Sequence, residues 1–403
     1  MEPSEFKISI PDSDLDLLMK KLELTRLPDG VEGYEKAEGV PIARMKGLVE
    51  FWRTSYLPNW RKHERELNEL PMYTMPVKSE DFGTLNIHFV HQKSKQPNAI
   101  PLLFIHGWPG SFLEAKKLLK VLGESNNDEP AFDIIVPSLP NYAFSDGVPK
   151  AGFHLGSYGE VLHSLMLALD YPQYTIQGGD WGSMIGRNMA RHYPTAVRAV
   201  HVNLAGVDSG SVMRAPSALV RWFWRWPGAR DRDGLRRALN YVTVGNAYYR
   251  VQESSPQTVA YAFADSPVAL LGWVGEKLEE WTDGYEWSDE ELLTWISVYW
   301  FSKAGPGASV RIYHEAQKGS SKSGGFWDWI PVPLGVTQFP KDIVGMPSFL
   351  LPSLGDVVFE SWAESGGHFA AWERPEKLAG DLRVMFGKGG GAYGVVAGRD
   401  GYD

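Results

Sequence analysis

Short apolar runs, each followed by a turn, occupy the middle of the chain. Four segments have this character, and several contain β-branched residues: Pro101–Ile105, Phe132–Pro137, Tyr174–Gly178 and Ala199–Leu204. Continuous apolar character is typical of strands that are covered on both faces. Strands that alternate with helical segments predict an α/β fold with a doubly wound, mostly parallel sheet. In such a sheet, functional sites lie at the carboxyl ends of the strands.

The pattern predicts that the sheet resumes near the end of the chain. Gly335–Phe339 and Ser348–Leu351 are interpreted as its last strands, and a terminal helix begins at Pro375. The core therefore comprises residues 96–204 and 331–391. The glycine-rich end from Gly387, with residues 392–403 as a flexible tail, is expected to be held loosely.

An N-terminal extension is predicted over residues 1–95. It begins with a helix opened by Pro11–Asp14 and continues with a helical region from Ala43 to Leu70, which Pro58 interrupts. Leu85–His91 alternates like a strand, so His88 and His91 face opposite sides and cannot share a metal.

A helical cap is predicted over residues 205–330. This segment has a helical pattern and holds ten of the 16 tryptophans, three of them in the run Arg221–Trp226. That density favours a cap that forms an apolar chamber over the functional edge of the sheet.

Composition narrows the class of protein. The chain has 403 residues, 43% of them hydrophobic, and a formal net charge of −9, which argues against nucleic-acid binding. It contains no cysteine, which excludes disulfides and thiolate chemistry. The first residues lack the features of a signal peptide, and no apolar run is long enough for a membrane anchor. A soluble, cytoplasmic protein is expected.

The segment around Asp180 carries the first sign of chemistry. The run Tyr174–Gly178 leads through Gly179 to Asp180, and Trp181–Ser183 opens a helical pattern. Small residues on both sides of a central acid resemble the nucleophile elbow of the α/β-hydrolases, a strained turn that exposes its central side chain. Here an aspartate occupies the place of the nucleophile. The alternative is an ordinary turn in which Asp180 caps the helix.

A nucleophile requires a base, and the base requires a group that orients it. In this fold class the chain order is nucleophile, acid, histidine. His368, the last histidine, lies in a glycine-rich loop before the terminal helix. Asp342 and Asp356 are the candidate acids. Asp342 is preferred because it follows a strand, whereas Asp356 is expected to serve a turn.

The motif His106–Pro109 fits an oxyanion hole. The backbone N–H groups of Trp108 and Trp181 could converge on one oxygen, where each such donor contributes about 3 to 4 kcal/mol in the transition state. His106 is expected to be a structural brace.

An aspartate nucleophile selects particular substrates. It displaces a leaving group at a saturated carbon and leaves an alkyl ester, which water activated by His368 then hydrolyses. Strained ethers and alkyl halides suit this chemistry. An epoxide also requires a hydrogen-bond donor for its oxygen, and a neutral tyrosine can serve.

Nearly the whole chain resembles the epoxide hydrolases, specifically the microsomal-type branch with an N-terminal extension. The segments His106–Pro109, Gly178–Gly182 and Gly366–Phe369 carry the resemblance. It implies that two cap tyrosines, Tyr248 and Tyr313, hold the oxygen of a small apolar epoxide. Tyr249 remains an alternative to Tyr248. The resemblance implies neither a cofactor nor a metal, and a homodimer is one expectation because some relatives dimerise.

Two departures and two rival functions remain. The chain lacks the N-terminal anchor of membrane-bound members, so it resembles the soluble fungal-type relatives. It also has Asp342 where several members have Glu.

A haloalkane dehalogenase would share the aspartate and the histidine, but it typically has Asn in the position of Trp108. A non-catalytic ligand receptor on the same fold is the second rival. An esterase is disfavoured because the elbow has no serine nucleophile.

Overall fold

A nine-stranded sheet organises the chain, with the strand order β1-β2-β3-β5-β4-β6-β7-β8-β9. The computed structural model describes residues 2–34, 39–124, 128–206, 228–323 and 325–402. The strands are β1 Ser4–Glu5, β2 Met72–Ser79, β3 Gly83–Gln92, β4 Ile100–Ile105, β5 Phe132–Pro137, β6 Tyr174–Gly178, β7 Val197–Val202, β8 Ile330–Gln338 and β9 Gly355–Trp362.

Six neighbouring strands, from β5 to β9 in the sheet order, are parallel, and β1–β3 add an antiparallel edge. Every residue of β4, β5 and β6 is buried, which explains why their sequences are predominantly apolar. The predicted mostly parallel sheet is confirmed.

Helices cover both faces of the sheet and form the cap. Before the cap they are α1 Asp12–Glu23, α2 Ile42–Phe51, α3 Trp60–Leu67, α4 Lys116–Gly123, α5 Leu155–Ala168 and α6 Asp180–His192. In and after the cap they are α7 Ala229–Asn240, α8 Ala247–Ser254, α9 Pro256–Asp265, α10 Pro267–Glu280, α11 Asp289–Trp300, α12 Arg311–Ser323, α13 Ala370–Glu373 and α14 Pro375–Phe386. The aromatic run Arg221–Trp226 lies outside the described residues.

The N-terminal extension is continuous with the rest of the molecule. Its strands β2 and β3 belong to the main sheet, and β3 pairs with β5. Its helices contact the cap, where the ring of Trp60 lies 5.0 Å from that of Phe301 and the hydroxyl of Tyr56 donates to Thr294 Oγ1 across 3.0 Å. The extension therefore links the edge of the sheet to the cap.

One predicted strand is wrong. Ser348–Leu351 lies in a 3₁₀ helix, Ser348–Ser353, and the last strand is β9. Pro347 and Pro352 flank the run, and proline has no N–H to donate to a strand ladder. Asp356, which was expected in a turn, is an exposed residue of β9.

The prediction of a loosely held tail is also wrong. The backbone of Gly401 accepts from Ala131 N across 2.9 Å and donates to Asn98 O across 2.8 Å. Val396 and Tyr402 are buried. These contacts hold the end of the chain against the segments that precede β4 and β5, despite its glycine content.

Within the described ranges, no helix is both long enough and apolar enough to cross a membrane.

Candidate active site

Asp180 lies at a sharp turn between β6 and α6. Its φ angle of +46° is in the left-handed region, which residues other than glycine rarely adopt. A Cβ at Gly182 would lie 1.9 Å from Ile105 O, and one at Gly178 would lie 2.5 Å from Gly182 O. The turn therefore requires glycine on both sides of the acid, as the elbow pattern predicted.

The carboxylate of Asp180 does not cap its own helix. Gly179 occupies the N-cap position of α6, and Oδ1 of Asp180 accepts from Trp108 N across 2.8 Å. The alternative interpretation of Asp180 as a helix cap is therefore wrong. A Cβ at Gly107 would lie 2.1 Å from the same Oδ1, so the loop that follows β4 approaches the carboxylate as closely as its backbone allows. Trp181 is in the first turn of α6, where backbone N–H groups have no partner within the helix.

His368 stands between two carboxylates. Its Nε2 is 3.5 Å from Asp180 Oδ2, and its Nδ1 is 2.7 Å from Asp342 Oδ1. Asp342 Oδ1 also accepts from Ile343 N across 2.7 Å, which fixes the carboxylate beside the ring. Nδ1–H donates to Asp342, so Nε2 is the nitrogen that faces Asp180. The structure thus brings together Asp180, His368 and Asp342, whereas Asp356 is exposed on β9.

The two carboxylates control the protonation of His368. Burial disfavours the imidazolium, but the charges of Asp342 and Asp180 and their hydrogen bonds outweigh it and hold the pKa of His368 well above its usual value. While Asp180 is ionised, its charge therefore favours the imidazolium form of His368. Neutralising Asp180 would remove part of this stabilisation and lower the pKa of His368.

Two tyrosines of the cap lie beside Trp108, whose backbone N–H contacts Asp180. Tyr248 on α8 and Tyr313 on α12 are buried, and their rings lie 5.6 and 5.7 Å from the ring of Trp108. The hydroxyl of Tyr313 has no hydrogen-bond partner among the described residues. Burial and the charge of Asp180 raise the pKa of both phenols well above the usual value, so both keep their protons.

The hydroxyl groups of Tyr248 and Tyr249 have different hydrogen-bond partners. The hydroxyl of Tyr249 accepts a hydrogen bond from Gln317 Nε2 across 2.8 Å. The hydroxyl of Tyr248 shares a hydrogen bond of 3.0 Å with Tyr241, a residue that the sequence did not single out. Tyr241 precedes Tyr248 by two helical turns, and that spacing is the signal that could have identified it.

An apolar cavity of about 280 Å³ opens over Asp180. Its walls come from the cap, from α6 and from the loops after β7 and β8. They include Met184, Leu204, Val242, Phe326, Trp327, Ile343, Met346 and Leu350 together with the four tyrosines at positions 241, 248, 249 and 313. The predicted apolar chamber is present in the described residues. Asp180 is the only charged residue among the described residues that line it.

Two further titratable groups lie near the turn. Leu139 N donates to His106 Nε2 across 3.2 Å, and His106 Nδ1 donates to Gly107 O across 3.0 Å, so His106 is the structural brace that was predicted. Glu114 was not predicted. Burial, together with the charges of Asp180 and Asp342, raises its pKa to about 8.

Among the described residues, no group of three or more His, Asp or Glu side chains is arranged to hold a metal ion.

Comparisons with known proteins agree with this geometry. The profile described as "Epoxide hydrolase N terminus" matches residues 3–115, and that described as "alpha/beta hydrolase fold" matches residues 100–267. A relative from Stigmatella aurantiaca is 35% identical over 94% of this chain and 84% of its own length. Epoxide hydrolase 1 of Sus scrofa is 32% identical over 95% of this chain and 88% of its own. The structure of the Aspergillus niger epoxide hydrolase superimposes with a TM-score of 0.81 at 32% identity and covers 95% of each chain. The predicted α/β-hydrolase fold is confirmed.

Proposed function

The chain belongs to the family of epoxide hydrolases, enzymes that open an epoxide with water, and we propose that it does so through an alkyl ester on Asp180. One observation carries this proposal. A single carboxylate contacts a backbone N–H through one oxygen and faces His368 through the other, at the floor of an apolar cavity that two protonated phenols border.

In the first half-reaction, Asp180 attacks a carbon of the epoxide. Oδ1 is held by Trp108 N, so Oδ2 is the oxygen that is free to attack. The new C–O bond forms as the ring C–O bond breaks, and the ring oxygen takes a proton from Tyr248 or Tyr313. The product of this step is a hydroxyalkyl ester of Asp180. A donor placed at such a developing charge contributes about 3 to 4 kcal/mol.

In the second half-reaction, water hydrolyses the ester. Once Asp180 is esterified it carries no charge, so the pKa of His368 falls. The imidazolium passes its Nε2 proton to the tyrosinate that ring opening left, and Nε2 becomes a base. His368 takes one proton from water, and the hydroxide adds to the carboxyl carbon while Trp108 N, and by proposal Trp181 N, stabilise the oxyanion. Collapse of this intermediate expels the diol, which takes the proton from His368. The second water proton, which remains on the regenerated Asp180 carboxyl group, passes to His368 and restores the starting state.

The role of Asp342 follows from its position. It accepts from Nδ1–H of His368 and so keeps Nε2 directed at the ester, and its charge stabilises the imidazolium that forms when water is deprotonated.

The cavity supports a small apolar epoxide as the substrate. Among the described residues that line it, the side chains other than Asp180 are aliphatic or aromatic. A substrate would be oriented by its oxirane oxygen at the phenols and by apolar contact elsewhere.

Styrene oxide tests this proposal, because it is a small, aromatic and apolar epoxide. The wild-type enzyme is expected to release the vicinal diol with multiple turnovers. Asp180→Asn is expected to lose turnover at first and to regain it only as the amide slowly deamidates. Asp356→Asn, which changes an exposed acid of β9, is the matched control and should match the wild type. Release of bromide from 1-bromobutane without diol formation from epoxides would contradict the proposal and favour a dehalogenase.

A further inference from the structure

The loop that carries His368 is bonded to the cap. His368 N donates to Trp281 O across 2.8 Å, and Gly366 N donates to Asp283 Oδ2 across 2.8 Å. A Cβ at Gly367 would lie 2.3 Å from Trp281 O, so only glycine allows this approach. Trp281 and Asp283 belong to the turn that follows α10, which we call the cap turn, residues Trp281–Asp283. The segment between β9 and α13 that carries His368 is called the histidine loop. The cap turn therefore contacts the main chain of the histidine loop.

The side chain of Glu373 accepts hydrogen bonds from the same two segments. Its Oε2 accepts from Asp283 N across 2.9 Å, and its Oε1 accepts from Phe369 N across 3.2 Å. Gly367 N donates to both oxygens. The side chain is 5% exposed, so these charge-assisted bonds form away from bulk water. One buried carboxyl group thus holds the cap turn on one side and the residues on both sides of His368 on the other.

The ring of Trp281 extends this connection to the epoxide side of the site. Its centroid lies 5.1 Å from the ring of His368 and 5.1 Å from the ring of Tyr248. Gly366 O accepts from Lys341 N across 3.0 Å, which ties the histidine loop to the residue before Asp342. The position of His368 therefore depends on the cap turn as well as on Asp342.

We propose that Asp283 and Glu373 are positioning residues that fix His368, through the cap turn, for hydrolysis of the ester on Asp180. This inference rests on the proposed ester route. The Asp342 hydrogen bond alone leaves the ring free to swing about it, because one contact does not define an orientation. The bond from His368 N to Trp281 O and the packing of the Trp281 ring supply the missing constraints.

The two half-reactions differ in their need for this constraint. Alkylation uses Asp180, Trp108 and the tyrosines, none of which is hydrogen-bonded to Asp283 or Glu373 in the contacts described above. Tyr248 packs on the ring of Trp281, but its hydroxyl is held by Tyr241. Hydrolysis needs His368 Nε2, a water and the ester carbon in line. Misplacement of a catalytic group by about 1 Å can cost on the order of 10²-fold in rate. Loosening the cap turn should therefore slow hydrolysis and leave alkylation almost unchanged.

Steady-state kinetics with styrene oxide separate this role from a structural one. When hydrolysis of an accumulated ester limits turnover, a slower second step lowers kcat and KM together and leaves kcat/KM unchanged. A variant that merely contains less folded enzyme loses apparent kcat at constant KM. For Asp283→Ala we expect kcat and KM to fall together by about tenfold or more. Asp283→Asn keeps an oxygen that can accept from Gly366 N and should retain nearly the wild-type kcat and KM.

Two further variants complete the set. Glu373→Gln replaces one acceptor oxygen by an NH₂ group that faces N–H donors, so it should show the same paired fall, and it provides a second measurement if Asp283→Ala does not fold. Glu286→Ala removes an exposed carboxylate from the loop between α10 and α11, which also contains the cap turn, and is the control. Rapid acid quenching and mass analysis of the Asp180 peptide should show more ester at steady state in Asp283→Ala and Glu373→Gln than in the wild type.

The outcomes are distinct. A fall in kcat/KM with wild-type ester levels, or unchanged kinetics in both variants, would overturn the positioning role and leave the ester route intact. Absence of any ester in the wild-type enzyme and in both variants, with diol still released, would overturn the proposed function and this inference together.

Discussion

The backbone N–H of Trp108 donates to Oδ1 of Asp180 across 2.8 Å, although the two residues are 72 positions apart in the chain. This contact divides the carboxylate into two unlike oxygens. Oδ1 is held by that N–H, and Oδ2 faces His368 at 3.5 Å. In the ester route that we propose, the first oxygen carries the oxyanion and the second attacks the substrate carbon.

The separation of the two half-reactions predicts the behaviour of His368→Gln. Alkylation needs no base, so the variant should consume one equivalent of styrene oxide per active site and then stop. Hydrolysis should be slowed by about 10² to 10⁴-fold, the usual contribution of a general base. The ester can be measured by mass analysis of the intact variant after a short exposure to substrate. Undiminished multiple turnover would remove histidine from the mechanism.

The two buried phenols predict a graded effect on alkylation. Tyr313→Phe and Tyr248→Phe each remove a donor near the ring oxygen, so each should slow ester formation by about 10²-fold, and the double variant by considerably more. Rapid-quench measurement of ester formation reports this step directly. Tyr249→Phe is the control because the Tyr249 hydroxyl accepts from Gln317. Equal losses in Tyr249→Phe and Tyr248→Phe would contradict the assignment of Tyr248.

The close approach of Gly107 predicts that a single methyl group disables the site. In Gly107→Ala the new Cβ would lie 2.1 Å from Asp180 Oδ1, so the carboxylate or the loop must move. Turnover of styrene oxide should fall by about 10²-fold or more. Gly380→Ala places a methyl group on α14 with no other atom within 4 Å and should retain full activity. Circular dichroism of both variants would check that the fold is kept.

Burial of Glu114 predicts a pH-dependent stability. In the folded chain the pKa of Glu114 is raised to about 8 from an ordinary value of 4.5, so the folded state binds this proton more tightly than the unfolded state does. The stability that this difference supplies is complete below pH 4.5 and is lost as the pH rises toward 8. Glu114→Gln, which stays neutral, should therefore unfold at nearly the wild-type Tm in acid and at a higher Tm at pH 8.

The expected gain for Glu114→Gln at pH 8 is on the order of a few kcal/mol, since each unit of pKa shift corresponds to about 1.4 kcal/mol. Thermal unfolding of the two proteins across this pH range measures it. A constant difference in Tm at all pH values would show that Glu114 does not carry a proton in the folded chain.

Sequence patterns predicted the central strands of the sheet better than they predicted Ser348–Leu351 and the C-terminal tail. β4, β5 and β6 were recognisable because burial on both faces imposes continuous apolar runs. Asp180 was recognisable because its strained φ requires glycines at fixed positions on either side. Ser348–Leu351 was misjudged because periodicity cannot distinguish a short apolar run in a strand from one in a helix. The tail was misjudged because its glycine content concealed Val396 and Tyr402, which are buried.

Sequence reasoning also missed contacts that depend on the packing of the cap. Tyr241, which bonds to Tyr248, carries no motif, and only its helical spacing hints at the pair. Glu373 and Asp283 are 90 positions apart, and neither has a pattern that marks it as a partner of the other. Such pairs follow from how the cap turn lies on the histidine loop, and that arrangement becomes visible only in three dimensions.

We propose that Asp180 forms a covalent ester whose hydrolysis transfers an oxygen from water to the enzyme. The most direct measurement is a single turnover of excess enzyme with styrene oxide in oxygen-18 water, followed by mass analysis of the peptide that contains Asp180. The ester route predicts that the label appears in the Asp180 carboxylate and that the released diol carries none. Label in the diol, with an unlabelled Asp180, would show direct attack by water and would contradict the account.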